Sequence, residues 1–581
     1  MEKKKVLYVI GIMNDGRESA LNKELCMKRI ILAIYVVLLT IGLAGNRVEN
    51  RPFTFTQPDG SELQLLVSGD EYYHRVHDER GYTILKDVNT GFAVYAENSG
   101  SSFRASGYRV GTLDPGSVGI TPGLIPDQTA ALARAAQNQR NRDSGNRASP
   151  TGSVNSIVAF VHFSGQGEFS SAHNYAHYDN FFNLSGGPSL KHFYSTMSSN
   201  QLTLNASLYP SAGAGGLVVS LEADHIRGYY SPYNASSNPS GYETDVQGQT
   251  RLAALVTEML DYLNPLIPDI MNVDNDNNGI VDALTFIIAG SDDTWGDILW
   301  PAHWSWSGSL GTINGKNVNH FVLDFETGLG LSVICHEMGH MIGAPDLYHY
   351  SNAPMGSVFP WNTISPVSRW DLMDSDNTQF WLTYMKWKYG TWFSTIPTIT
   401  PTSTGTTYTL QAIDSSPYSC YKIASTIPSQ YYMLEYRRQT APYDDGVPGS
   451  GLIVYRINSA GINGNSQGPP DEVYVYRPGG DVDSNGTPYA AFFSQQSLRT
   501  EINNFTDPKP WLWVDTVTTP DGNLVIYDVS ASGANSITFK VRTSPVSRWT
   551  GNSSVNWDDA GNWTAGVPTS SRDVVIPAGC P

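Results

Sequence analysis

Four cysteines in 581 residues, at Cys26, Cys335, Cys420 and Cys580, are too few and too scattered for a disulfide framework. Charged residues make up only 15% of the chain, and acidic groups outnumber basic ones 54 to 36, for a formal net charge of −18. With no basic face to meet phosphates, nucleic acid is excluded as a partner. Long apolar runs are scarce too. Ile30–Leu43 is short for a membrane span, so no stable membrane anchor is expected. Against these scarcities stand 54 Gly, 34 Pro, 32 Tyr and 14 Trp, the composition of a β-rich, loop-rich extracellular protein. The length allows three or four domains.

The densest cluster of chemistry is Leu331–Tyr350, LSVICHEMGHMIGAPDLYHY. His336-Glu337-x-x-His340 puts two imidazoles at i and i+4, on one face of a helix, where both can reach one zinc ion. Glu337 between them can serve as general base toward a water. A catalytic zinc wants a third protein ligand. Gly343 follows three residues later, where a helix ending in a left-handed residue uses glycine. Pro345 disfavours helix at the residue before it, so the chain turns back and brings Asp346 toward the metal. A glutamate on a later helix would be the alternative ligand, but no glutamate occurs between Glu337 and Glu435. Cys335, beside the first histidine, reads as a buried free thiol.

Upstream, Met27-Lys28-Arg29, the apolar run and Ala44-Gly45-Asn46 have the order of a secretory signal peptide, assigned to 1–45 with the true start at Met27. Residues 46–150 hold short apolar stretches broken by turn signals over Arg51–Val118, then Asp127–Pro150, a polar Ala/Asn/Arg-rich stretch expected to be an exposed linker. Its Arg134, Arg140, Arg142 and Arg147 would suit an activating arginine-specific protease. A β domain joined by a nickable linker suggests a propeptide; an ordinary accessory domain is the alternative.

The next unit, 151–396, begins with a buried strand at Ile157–Phe163, a helix over Ser189–Ser199, an edge strand at Leu202–Tyr209 and a long helix at Thr250–Leu263, an α+β order. Asp274, Asp276, Asn278 and Asp282 supply oxygen side chains with loop spacing, and Ile280 a carbonyl; together they match a calcium loop of a non-EF-hand kind. Asp481-x-Asp483-x-Asn485 repeats only half of the pattern and reads as a turn. His303, among tryptophans in Trp300–Trp304, reads as a packed core residue outside the site. Met373, in WDLMD, reads as the methionine of a turn that floors the metal. Residues 397–545 are β-patterned, and 546–581 are expected to be the start of a truncated, tryptophan-marked β module.

HEMGHMIGAPD, DNDNNGIVD before a strand, WDLMD, EYRR and VPGSGLIVYRI together resemble the secreted metallopeptidases of the immune inhibitor A family, over about residues 50–545. The resemblance implies a multidomain chain. An α+β metzincin-like zinc-peptidase domain would be flanked by an N-terminal β-rich prodomain and a C-terminal β-sandwich-like domain. It further implies zinc on His336, His340 and Asp346, Glu337 as catalytic residue, Met373 in the turn, and protein or peptide substrates. Ser375 stands where some metzincins carry an assisting tyrosine. The 46–150 segment has no cysteine, so any latency must rest on another group covering the metal. The competing class is a secreted adhesin or glycan-binding protein whose zinc domain is not catalytic.

Overall fold

The computed structural model describes residues 48–576 except 100–101, 126–128, 146, 351–363, 376, 403–404, 462, 515–516, 521–523, 543–546, 564–565 and 569–573. The expected export signal, with Met27, lies outside the described residues. Among those described, no helix is long and apolar enough to cross a membrane.

Short alternating stretches near the N-terminus pair in chain order into a six-stranded antiparallel sheet: β1 (Val48–Thr56), β2 (Glu62–Gly69), β3 (His74–His77), β4 (Thr83–Lys86), β5 (Ala93–Ser99) and β6 (Ser102–Arg109). Leu65, Val76, Ile84 and Tyr95 form its core. The stretch expected to be an exposed linker is instead mostly a helix, Thr129–Asp143. Alanine is the strongest helix former, and Ala135 is buried against Tyr72, Tyr348 and Tyr350. Asn138, Asn141 and Arg142 are buried as well. Composition hides this packing because the helix buries small and hydrogen-bonding side chains rather than large apolar ones. Of its arginines, Arg140 is exposed while Arg142 is 3% exposed, so in this state Arg142 is closed to a protease.

A second sheet runs 302–305, 320–325, 284–288, 152–163 and 202–209 from edge to edge, with 221–223 also paired to 152–163. Its strands are β7 (Gly152–Phe163), β8 (Leu202–Tyr209), β9 (Leu221–Ala223), β10 (Leu284–Ile288), β11 (Ala302–Ser305) and β14 (His320–Phe325), and a hairpin of β12 (Gly311–Ile313) and β13 (Lys316–Val318) precedes the last. All pairings are parallel except β11 with β14. Along β7, Ile157, Ala159 and Val161 join the core that holds Leu252, Val256 and Met259 of the helix Asp245–Leu263. Val158 and Phe160 face the other way, into the core shared with Phe193, Ile334 and Met338. Helices thus cover both faces. The layering is α/β where the sequence reading expected α+β; the unbroken apolar run of β7 is the mark of a parallel strand buried on two sides.

Beyond residue 397, a five-stranded sheet of 398–399, 420–424, 430–437, 451–458 and 473–475 faces a three-stranded one of 406–411, 525–527 and 536–542. Tyr432, Leu434 and Tyr436 fill the space between them, whereas Met433, Ile453 and Tyr455 point into the core beneath the 331–341 helix. Two-sided burial welds this region to the middle one.

Candidate metal centre

Leu331–Met341 forms a helix whose residues from Val333 onward are all buried. Its Val333 packs on Val48 and Val67 of the N-terminal sheet and on Trp300, while Ile334, Cys335, Met338 and Met341 enter the central core. Gly343 ends it in a left-handed conformation, φ 105°, with its N–H bonded to the His340 carbonyl at 3.0 Å and Ala344 N–H to that of Gly339 at 2.9 Å. Only glycine takes that φ without strain. The reversal carries Asp346 back over the helix.

His336 Nε2 lies 3.1 Å, and His340 Nε2 3.3 Å, from Asp346 Oδ1. All three residues are 0–1% exposed. Their ligand atoms lie within 4.8 Å of one another, the one such group of His, Cys, Asp or Glu among the described residues. The imidazole protons can be placed. His336 Nδ1 sits 3.1 Å from the Leu372 carbonyl and His340 Nδ1 2.8 Å from the Ala344 carbonyl. Carbonyls only accept, so each Nδ1 donates and each neutral ring turns an Nε2 lone pair inward. Among the described residues, neither Nε2 nor Asp346 Oδ1 makes a well-formed hydrogen bond. Three buried lone-pair atoms facing one another repel unless a cation or proton sits among them, and two imidazoles with a carboxylate are a donor set for a divalent metal. The residues therefore fit a divalent metal ion, zinc among the candidates. Protonated, the two imidazoles would hold Asp346 well below the usual carboxylate range against the effect of burial, which expresses the same demand for positive charge among these three groups.

Glu337 Oε2 accepts the backbone N–H of His303 at 2.6 Å, while Oε1 has no partner among the described residues. Burial pushes its carboxyl up to about 7. His303 itself was expected outside the site. Its ring is not in the ligand group, yet its N–H on edge strand β11 holds the candidate base. No residue-type signal could have found it, because the functional group is backbone.

Met373 lies under the helix: a Cβ placed on Gly339 would meet its sulfur at 2.8 Å. The turn around it is fixed by Asp371, which accepts Met373 N–H at 2.8 Å and Leu382 N–H at 2.6 Å. Arg437 of EYRR donates to the Trp370 carbonyl at 2.9 Å and to Asp444. Glu435 accepts from Thr383 and Tyr455 and is not in the ligand group. The sequence blocks WDLMD and EYRR thus meet as one buried network under the site.

The acidic loop lies elsewhere. Asp274 accepts Asn278 and Gly279 N–H at 2.9 and 3.0 Å, and Lys316 Nζ at 2.7 Å. Asp282 accepts Asn275 and Ser149 N–H. Asp276 caps Asn278, whose side chain in turn accepts Ile280 N–H at 2.8 Å. Asp481 and Asn485 lie in a turn closed by Asp481 N–H to the Ser484 carbonyl.

No family model matches this chain, and no curated protein does.

Proposed function

We propose that the chain is a secreted zinc-dependent endopeptidase of the immune inhibitor A type, acting on extracellular proteins or peptides. The observation that carries the reading is the meeting of His336 Nε2, His340 Nε2 and Asp346 Oδ1, buried and unsatisfied, beside a glutamate with one free oxygen. Lewis acidity from a zinc held by these three residues would acidify a water and polarise the scissile carbonyl. Glu337 does the proton work. With Oε2 anchored by His303 N–H, Oε1 is free to take the water's proton and hand it to the leaving amine. Met373 and the carbonyls of Leu372 and Ala344 keep the imidazoles oriented. A base in this position has no use in a purely adhesive protein, which favours the hydrolase.

The proposal extends to calcium in the loop of Asp274, Asp276, Asn278, Ile280 and Asp282. There the Lys316 ammonium already neutralises Asp274, so an ion entering must displace it. Elemental analysis of the purified chain tests the first claim: one zinc per chain is expected, and none would refute it.

A further inference from the structure

Arg456 lies on the strand Gly451–Asn458, opposite Tyr432 on one neighbouring strand and Tyr474 on the other. Both tyrosines belong to the core between the two C-terminal sheets, so the arginine enters that core with them. It is 0% exposed, and its Nε and both terminal nitrogens have no hydrogen-bond partner among the described residues. A guanidinium stays charged at any pH a protein meets, and it carries five N–H donors and no acceptor. A buried charge without a partner is among the most costly things a core can hold.

The surroundings are aromatic. The guanidinium carbon lies 4.4 Å from the ring centre of Trp511 and 5.6 Å from that of Tyr474, and the two rings are 4.4 Å apart. Contact with ring faces recovers part of the desolvation cost but leaves the N–H groups themselves unanswered. The same two residues add orphan donors of their own. Trp511 Nε1 and the Tyr474 hydroxyl are buried and, among the described residues, equally without a partner.

Positive charge accumulates here as well. Arg477 sits 4.6 Å from the Tyr474 ring and gives its donors to the uncharged carbonyls of Asn485, Pro366 and Val475. Burial pushes the Tyr474 hydroxyl up to about 12 against the pull of both arginines, so it stays a neutral phenol and offsets neither charge. A water would meet the orphan donors but not the charge. An acceptor carrying negative charge would meet both. Arg456 and Tyr474 are 0% and Trp511 5% exposed, which leaves no opening for the rest of a peptide or sugar behind a bound carboxylate. The enclosure suits a monatomic ion.

We propose that Arg456, Trp511 and Tyr474 form an anion site between the two C-terminal sheets, taking chloride. The ion accepts from the guanidinium, the indole N–H and the phenol and neutralises the charge they enclose. The site does not depend on the zinc reading, yet its strand reaches the candidate metal centre. Tyr455, next to Arg456 and facing the opposite core, donates to Glu435 at 2.9 Å in the network beneath the Leu331–Met341 helix.

The test uses the full chain after exhaustive dialysis into sodium gluconate, whose anion is too bulky for the enclosure, at fixed ionic strength. Equilibrium dialysis with radioactive chloride should find one ion per chain, and the thermal midpoint should rise by about 3 °C or more as chloride replaces gluconate. Arg456→Met keeps the apolar stem and removes the charge; it should bind no chloride and melt at one temperature in both salts. Trp511→Phe keeps an aromatic ring and removes one donor, and should bind chloride roughly threefold or more weakly. If the arginine variant fails to fold, the tryptophan variant decides. A parent that takes up no chloride, or variants that bind it as tightly as the parent, would overturn the site and leave the metal reading untouched.

Discussion

Met373 and Gly339 touch: the methionine sulfur occupies the space where any side chain at 339 would begin, 2.8 Å from an added Cβ. The glycine of the HExxH stretch is therefore a packing requirement, not a matter of helix propensity. Gly339→Ala should lift the helix off its floor and destabilise the chain by about 1–3 kcal/mol, the usual cost of overpacking. Zinc affinity should fall with it. Replacing Met373 by the smaller Val in the same chain should restore part of both losses, read by guanidinium midpoints and metal titration.

Asp346, the expected third ligand, and Glu435, the first glutamate after the HExxH stretch, sit in different environments. Asp346→Ala should leave substoichiometric zinc after dialysis. Glu435→Gln should keep one zinc per chain, since its carboxylate is spent on Thr383, Tyr455 and Arg437; its cost should appear in thermal stability. Equal zinc in the Asp346 variant and the parent would place the third ligand elsewhere.

Lys316 competes with any ion for Asp274. Lys316→Met should therefore tighten calcium binding at the 274–282 loop, and Asp282→Asn should weaken it. Isothermal titration with calcium reads both. A loop that takes no calcium even without the lysine would be a structural turn held by its own hydrogen bonds.

His320 gives a pH signature. Burial lowers its pKa from 6.5 to about 4, only partly offset by its hydrogen bond to the Val281 carbonyl at 3.0 Å. The unfolded chain thus binds a proton below about pH 6.5 that the folded chain refuses until about pH 4. Stability is fully present above pH 6.5 and is lost as pH falls through this window. At pH 5 the loss from this one group is about 2 kcal/mol. His320→Asn should lose about that much less than the parent between pH 7 and pH 5, by guanidinium denaturation at each pH.

The meeting of His336, His340 and Asp346, the glycine stop at Gly343 and the turn that holds Met373 were legible because each is a local demand on residue type. The strands of the central sheet were legible from their apolar runs, but the layering was not: pairing partners are set by contacts far apart in sequence. The helix Thr129–Asp143 was hidden for a different reason. It packs through alanines and bonded asparagines, so its hydropathy is that of a linker. His303 was hidden because it works through its backbone.

On the proposed reading, Glu337 acts as a base beside a metal it does not bind. Cleavage of casein by the purified, activated chain, set against its Glu337→Ala variant with zinc content measured in parallel, tests this most directly. One zinc is expected in both proteins, with a fall in turnover of roughly 10²–10⁴-fold in the variant, the range general-base catalysis supplies. Undiminished cleavage by the Glu337→Ala protein with zinc bound would contradict it.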